Sequence, residues 1–249
     1  MKIRYNLMEK NKTGNYFKYV IGEILLVVIG ILIALSINNW NTNKQETKEL
    51  QNYLKNIKNN LHADLIGIKE ISVFRDSSSA YSRNYLRLAR KDEIYINDLI
   101  MINNSDYNVF KDEFFKPHKS GFETLKNSGY IGKLNGTKIE AKLNEYYYII
   151  DKINEEEESL NNTVESLEII AHSDNNKLRL IEICQDITKV EANFNTPKKE
   201  IMKLLNHPSW KGANLRNSDT SNLHQFYTQI EKLANDLISH IDNTIKNHN

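Results

Sequence analysis

One acidic residue, Glu23, lies inside a run of apolar residues near the start of the chain. The run reads VIGEILLVVIGILIALSI from residue 20 to residue 37, and Glu23 is its only ionisable side chain. A carboxylate in hydrocarbon is costly, and acids inside membrane spans often mark ion or proton pathways. Glu23 lies about one helical turn inside the run, where Lys18 or Tyr19 can help to solvate it. Glu23 is therefore either an ion-pathway residue or an interfacial or oligomer contact.

The other residues that could do chemistry do not form a recognisable site. None of the seven histidines lies four residues from another or in a Glu-x-x-His pair, the spacings that helical metal sites use. Glu155 to Glu158 would spread around a helix, which predicts a solvated face rather than a loose divalent-cation site. The single Cys184 excludes an internal disulfide and a cysteine zinc cage. Since P-loop, GxGxxG and GxSxG motifs are absent, we expect no catalytic residue, metal or cofactor.

The apolar run has the length and the flanks of a membrane-spanning helix. Residues 20–37 would rise about 27 Å at about 1.5 Å each, close to the thickness of the hydrocarbon layer. Aromatic side chains favour the headgroup level, and those flanking the run are Tyr16, Phe17, Tyr19 and Trp40. Small residues permit close helix contact, and those inside the run are Gly22, Gly30 and Ala34. We expect a transmembrane helix with a candidate contact face.

The charges around the run predict its orientation. The residues before it are strongly basic, whereas lysines and glutamates nearly balance after it. By the positive-inside rule, residues 1–19 are a cytoplasmic leader, 20–37 are the transmembrane helix, and 38–249 form a periplasmic domain on the bacterial inner membrane. The rival interpretation is a cleaved signal peptide, with Ala34-Leu35-Ser36 as the cleavage site. The length of the run and Glu23 inside it favour the uncleaved anchor.

The same region of the sequence is similar to a signature found in other proteins. The residues from Phe17-Lys18-Tyr19-Val20-Ile21-Gly22-Glu23-Ile24 to Ile37-Asn38-Asn39-Trp40-Asn41 resemble an uncharacterised family of Bacteroidota, abundant in flavobacteria, with the signature KYxxGEIxLVxxGILIALxINNWN. The segment from Phe122 to Gly129 also looks like a recurrent part of that family. The resemblance implies an inner-membrane anchor followed by a helical periplasmic domain. It implies no activity.

Beyond Trp40 the apolar residues recur at helical spacing. A first stripe comprises Leu50, Tyr53, Leu54, Ile57, Leu61, Leu65, Ile68 and Ile71, prolonged by Phe74, Tyr81, Tyr85 and Leu88. A second alternates spacings of four and three and predicts a coiled-coil seam; its members are Ile139, Leu143, Tyr146, Ile150, Ile153, Glu157, Leu160, Val164, Leu167 and Ala171. A third comprises Leu223, Phe226, Ile230, Leu233, Leu237 and Ile241.

Other signals predict where helices begin and end. Gly67 and Ser77-Ser78-Ser79 could bend or break the first helix. Residues 92–121 are irregular and predict short helices joined by loops, and Phe122 to Lys126 predicts a short helix stopped by a left-handed cap at Ser128-Gly129. Further predictions are a helix from Leu178 to Phe194, a helix start at Thr196-Pro197 and a helix end at Pro208.

These patterns predict an all-α fold: an N-terminal transmembrane helix followed by an extramembrane bundle of long antiparallel, partly coiled-coil-like helices. With only 9 Gly and 3 Pro the chain is poor in turn residues, which disfavours an all-β fold. Lys plus Arg total 33 against 32 for Asp plus Glu, so the charge gives no indication of a nucleic-acid partner.

We expect a non-enzymatic protein whose partners are the lipid bilayer and either a second copy of the chain or an envelope protein. Two alternatives stay open. One is a component of an ion- or proton-coupled membrane complex that uses Glu23. The other is a periplasmic sensor or ligand-binding module, with a pocket lined by the aromatic cluster Tyr107, Phe110, Phe114, Phe115, Phe122 and Tyr130.

Overall fold

The computed structural model describes residues 2–95, 98, 109–173, 202–203 and 205–247, with side chains described from Phe17 onward except for His172. The regular secondary structure of these ranges is helical and includes no strand, in agreement with the predicted all-α class. The α-helices are α1 (Lys2–Leu88), α2 (Ser120–Asn127), α3 (Lys138–Ser173), α4 (Pro208–Ser218) and α5 (Ser221–Asn247), with a 3₁₀ helix at Tyr130–Leu134.

The chain divides into two compact units, Met1–Tyr53 and Leu54–Asn247, and α1 contributes residues to both. In the first unit α1 contains a stretch long and apolar enough to cross a membrane, with a mean hydropathy of 2.9 and no buried residue. An α-helix suits this stretch because it satisfies every backbone N–H and C=O within the segment.

In the second unit, α5 runs antiparallel to both α1 and α3. Side-chain pairs along the helices establish these directions, because residue numbers fall along α5 as they rise along α1 and α3. The pairs are Lys58–Asp242 at 2.6 Å, Asp76–His224 at 3.1 Å, Lys142–Asp236 at 3.0 Å, and Glu157 with the Tyr227 hydroxyl. The shorter helix α4 also packs against α3.

The buried positions of the three long helices are separated by alternating steps of three and four residues. On α1 they include Leu54, Ile57, Leu61, Asp64, Ile68, Ile71, Arg75, Ser78, Ser82 and Tyr85. On α3 they include Ile139, Leu143, Tyr146, Ile150, Ile153, Glu157, Leu160 and Val164, and on α5 they include Leu223, Tyr227, Ile230, Ala234, Leu237 and Ile241. Polar and charged residues therefore occupy several core positions of α1 and α3.

The first helix does not break where the sequence indicates. It continues through Gly67 and the serine run to Leu88. Ser78 and Ser82 are buried, and the Asn217 side-chain amide donates to their hydroxyl groups at 2.7 and 2.9 Å. Because these hydroxyl groups have partners on α4, the serines stabilise the contact between the helices and do not interrupt α1.

The short helix predicted at Phe122 to Lys126 is confirmed as α2. It ends before Gly129, whose φ of 77° is the predicted left-handed conformation. At its start Gly121 lies against α1: a Cβ atom there would lie 2.7 Å from the Asn60 Oδ1 atom and 2.9 Å from the Ile57 backbone nitrogen. Only glycine permits so close an approach.

Two other predictions from the sequence concern residues 92–121 and Pro208. Residues 109–119 contain no helix, although short helices were predicted within 92–121. Pro208 occupies the first turn of α4, a position where its missing N–H costs nothing. The helix predicted from Leu178 to Phe194 and the helix start at Thr196-Pro197 lie outside the described residues.

Candidate functional site

Glu23 lies on the exposed surface of α1, in a shallow groove with Lys18, Tyr19, Gly22 and Leu26. The Glu23 carboxylate has no hydrogen-bond or ion-pair partner among the described residues. The residues predicted to form a membrane-helix contact, Gly22, Gly30 and Ala34, are exposed as well. A Cβ atom added at Gly22 or Gly30 would meet no described atom within 4 Å. This helix face, like every other residue from 17 to 45, is therefore exposed within one copy of the chain.

The predicted interface anchors are exposed along the same helix. Phe17 is 68%, Tyr19 83% and Trp40 65% exposed, and the Lys44 ammonium lies 5.3 Å from the Trp40 ring centroid. The Tyr16 side chain lies outside the described part of the chain.

The residues predicted to form the seam of α3 lie in the second unit. Leu143, Tyr146, Ile150, Ile153, Leu160 and Val164 are buried. Leu167 is half-buried, and a Cβ atom at Gly212 of α4 would lie 3.3 Å from its Cδ1 atom.

A buried carboxylate on α1, Asp64, joins three parts of the second unit. It accepts hydrogen bonds from the His118 backbone N–H at 2.7 Å, from His118 Nδ1 at 2.8 Å, and from the Tyr146 hydroxyl of α3 at 2.8 Å. Burial, together with the Asp64 charge, raises the pKa of Tyr146, so its hydroxyl keeps the proton that it donates. Sequence reasoning missed Asp64 because it followed only apolar residues along α1.

A second buried carboxylate, Glu157 of α3, also binds a backbone N–H group of the irregular segment and a tyrosine hydroxyl group. One oxygen accepts from the Phe115 backbone N–H at 2.9 Å, and the other accepts from the Tyr227 hydroxyl of α5. Burial raises the pKa of Glu157, and the contacts with Tyr227, Phe115 and Arg75 oppose that rise. The prediction of a solvated acidic face is wrong for Glu157, which is fully buried because its position in the three-and-four repeat faces the core. Glu155 and Glu158 are exposed.

Arg75 of α1 supplies a buried positive charge close to Glu157. Its guanidinium donates to the Glu113 carbonyl oxygen and approaches the Asn161 Oδ1 atom at 3.5 Å. The Asn161 side-chain amide donates to the same carbonyl oxygen at 3.1 Å. The Arg75 Nε atom is buried and has no hydrogen-bond partner among the described residues.

Together these side chains hold the irregular segment 109–119 by its backbone. They bind the carbonyl of Glu113 and the N–H groups of Phe115 and His118. A segment without helix or strand must satisfy its backbone groups in another way, and buried polar residues of α1 and α3 do so here. The buried ionisable groups of this unit are therefore engaged in structural bonds.

The described members of the predicted aromatic cluster have different partners. Phe110 packs edge-on against Trp210 with ring centroids 4.8 Å apart, and Phe122 stacks on Tyr147 at 4.2 Å. Phe115 is buried, whereas Phe114 is 42% exposed. Tyr107 lies outside the described residues.

Two of the described histidines each lie close to a single carboxylate. His118 contacts Asp64, and His224 contacts Asp76. Within the described ranges, no group of three or more His, Cys, Asp or Glu side chains is placed to hold a metal ion. Cys184 lies outside those ranges.

Glu157 predicts a pH dependence of stability. Its pKa in the folded state lies above the ordinary value of 4.5, so the folded state binds this proton more tightly than the unfolded state. As pH rises from about 4.5 through the folded-state pKa, the contribution of Glu157 to the free energy of unfolding should therefore fall. Urea titrations of the full chain in lipid nanodiscs at several pH values measure this slope.

The matched control for this prediction is the adjacent exposed residue Glu158. Glu157→Gln should remove the decline, since the amide does not titrate. Glu158→Gln removes an equal charge from the exposed side of α3 and should preserve the decline. If Glu157→Gln keeps the same slope as the wild type, Glu157 does not cause it.

A comparison with models of protein families gives a match. A model of a family of unknown function (DUF6090) matches residues 23–191, more than half of the chain. The matched range begins inside the apolar stretch and includes α2 and α3. No curated protein and no solved structure matches the chain. The chain belongs to the family of unknown function DUF6090.

Proposed function

We propose that the chain is a non-enzymatic inner-membrane protein that assembles with itself or with an envelope partner. In this proposal, residues 1–19 are cytoplasmic, residues 20–37 cross the membrane and residues 38–249 form a periplasmic helical bundle. The basic leader supports the orientation, and the signature at the membrane segment supports an origin in Bacteroidota.

The open face of the membrane helix is the observation that carries this proposal. Glu23 and the small residues Gly22, Gly30 and Ala34 are all exposed on α1. In lipid, helices associate through close packing at small residues and through interhelical hydrogen bonds. A contact with another membrane helix would satisfy the Glu23 carboxylate and fill the space beside the glycines.

The second unit supports an assembly role for a different reason. Its ionisable core residues Asp64, Arg75 and Glu157 bind the backbone of the chain itself. The three-and-four spacing of buried residues on α1, α3 and α5 supports coiled-coil-like packing. Buried polar residues in such a seam can specify helix register. A bundle of this kind suits the presentation of a fixed surface to a partner.

The test of the membrane contact is Gly30→Leu. A Cβ atom at Gly30 meets no described atom within 4 Å outside the backbone of its own helix, so we expect the effect of leucine on assembly to arise between copies. The matched control is Leu32→Phe, which adds bulk about 200° around the same helix. The readout is particle mass by mass photometry after extraction into polymer nanodiscs.

We expect the wild type and Leu32→Phe to form the same assembly and Gly30→Leu to fall to a smaller mass. Equal masses for all three proteins would exclude this face as the contact. A wild-type particle containing one copy and no co-purifying protein would overturn the assembly proposal.

The lack of a described partner for Glu23 also favours a second candidate, an ion- or proton-coupled complex. Here Glu23→Gln should abolish proton flux into liposomes and leave the assembled mass unchanged. In the assembly role there is no flux from either protein, Glu23→Gln is mild, and Glu23→Leu weakens the assembly. Flux from the wild type that is lost in Glu23→Gln would replace the first proposal with the second.

A further inference from the structure

The second unit contains a groove of about 630 Å³ between α1 and the irregular segment. One wall is the face of α1 from Ala63 to Phe74, which at about 1.5 Å per residue is about 16 Å long. The other wall is formed by residues 113–118. The segment runs antiparallel to α1, since His118 bonds Asp64 at one end and Glu113 bonds Arg75 at the other. The volume of the groove lies within the usual range of small-molecule sites.

The groove has an apolar surface that water reaches. Ile66 is 63% exposed and Phe114 is 42% exposed, and Phe74 also lines the groove. Gly67 lines the groove as well, and a Cβ atom there would lie 3.5 Å from the ring of the buried Phe115. An apolar body lying along these residues would remove this surface from water.

The Lys116 ammonium and the His118 imidazole both lie toward the His118 end of the groove. Phe115 is buried while its neighbours Phe114 and Lys116 are exposed, so Lys116 and His118 share the outer face of the segment. Lys116 forms no ion pair with any described residue. The His118 side chain is 55% exposed, and its Nδ1 atom is held at 2.8 Å by the Asp64 carboxylate, which is 1% exposed. A buried acid therefore orients this imidazole.

The acidic residues of the groove restrict the ligand. Glu113 is paired with Lys111 at 2.7 Å. Glu70 is exposed on the α1 wall and has no ion pair among the described residues. A second negative charge in the middle of a ligand would be repelled by Glu70.

We propose that this groove binds a small amphiphile with one terminal carboxylate. Its apolar body lies along Ile66, Phe74 and Phe114, and its carboxylate lies at Lys116 and His118. This role goes beyond assembly, since it needs neither Glu23 nor a second copy of the chain.

The test uses dodecanoate labelled with ¹³C at the carboxyl carbon and the full chain in lipid nanodiscs. Empty nanodiscs supply the signal of dodecanoate dissolved in lipid. We expect an additional carboxyl resonance that depends on the protein and saturates at one ligand per chain. Dodecanol has the same apolar body without the charge and should not displace it.

Two variants of exposed α1 residues test whether the ligand binds in the groove. Ile66→Glu puts a negative charge in the groove and should abolish the additional resonance. Val73→Glu makes the same kind of change at an exposed residue that does not line the groove, and should preserve it. Lys116→Met, which keeps most of the side-chain length, should weaken binding about tenfold.

Three results would overturn the proposal. One is the absence of any protein-dependent resonance from the wild type. Another is an equal resonance in Ile66→Glu and Val73→Glu, which would place the ligand elsewhere. The last is displacement by dodecanol as effective as by unlabelled dodecanoate, which would show that the carboxylate is not recognised.

Discussion

Replacing Arg75 by methionine is expected to lower the free energy of unfolding by about 3–5 kcal/mol. Arg75 is 1% exposed, and its guanidinium binds the Glu113 carbonyl oxygen beside Asn161. Methionine fills a similar volume but removes this donor. It also removes the positive charge that favours the ionised form of the buried Glu157. The loss should therefore exceed that of one ordinary hydrogen bond.

The matched control for Arg75 is Arg87, an exposed residue on the last turn of the same helix. Arg87→Met should change the free energy of unfolding by no more than about 0.5 kcal/mol. Urea titration of both variants in lipid nanodiscs, followed by circular dichroism, compares them. Hydrogen exchange should also accelerate at the Phe115 amide in Arg75→Met alone. Equal stability of the two variants would show that the guanidinium does not hold the segment.

Truncation of the core of α3 should have a comparable effect. Leu160 is 2% exposed on α3. Leu160→Ala should cost about 2–5 kcal/mol through lost burial and the cavity that remains. Leu160→Asp should cost more, because it would bury an unpaired charge.

The control for this substitution lies two residues away, on the opposite side of the helix. Glu158 is exposed, so Glu158→Ala should change stability by no more than about 0.5 kcal/mol. Both variants are measured by the same urea titration. Similar losses at the two positions would mean that the face of α3 assigned to the core is wrong.

Several features of the chain were predictable from local pattern. The apolar stretch around residues 20–37 and the helical class follow from hydropathy and from the spacing of apolar residues. The left-handed Gly129 follows from the chemistry of helix ends, since glycine adopts positive φ at little cost. Each of these features depends on residues close together in the sequence.

The polar core positions were harder to predict. Sequence reasoning assigned Leu65, Phe74 and Phe226 to the apolar stripes, whereas the buried residues beside them are Asp64, Arg75 and Tyr227. The signal was present in the unbroken three-and-four spacing that passes through Asp64 and Arg75. Burying an isolated ionisable group is too costly. Without knowledge of their partners, the apolar neighbours were therefore the better candidates for the core.

The candidate membrane helix and the helical class were predictable without a structure, since apolar content and periodicity act within one segment. The burial of Asp64 and Arg75, and of an acid at the seam position Glu157, is evident from the tertiary structure and not from the sequence, because it depends on partners distant in the sequence. Those partners are the backbone of residues 113–118 and the hydroxyl groups of Tyr146 and Tyr227. Hydrogen bonds to these distant groups offset the solvation that the buried ionisable side chains lose. The spacing of residues along one helix carries no information about such hydrogen bonds.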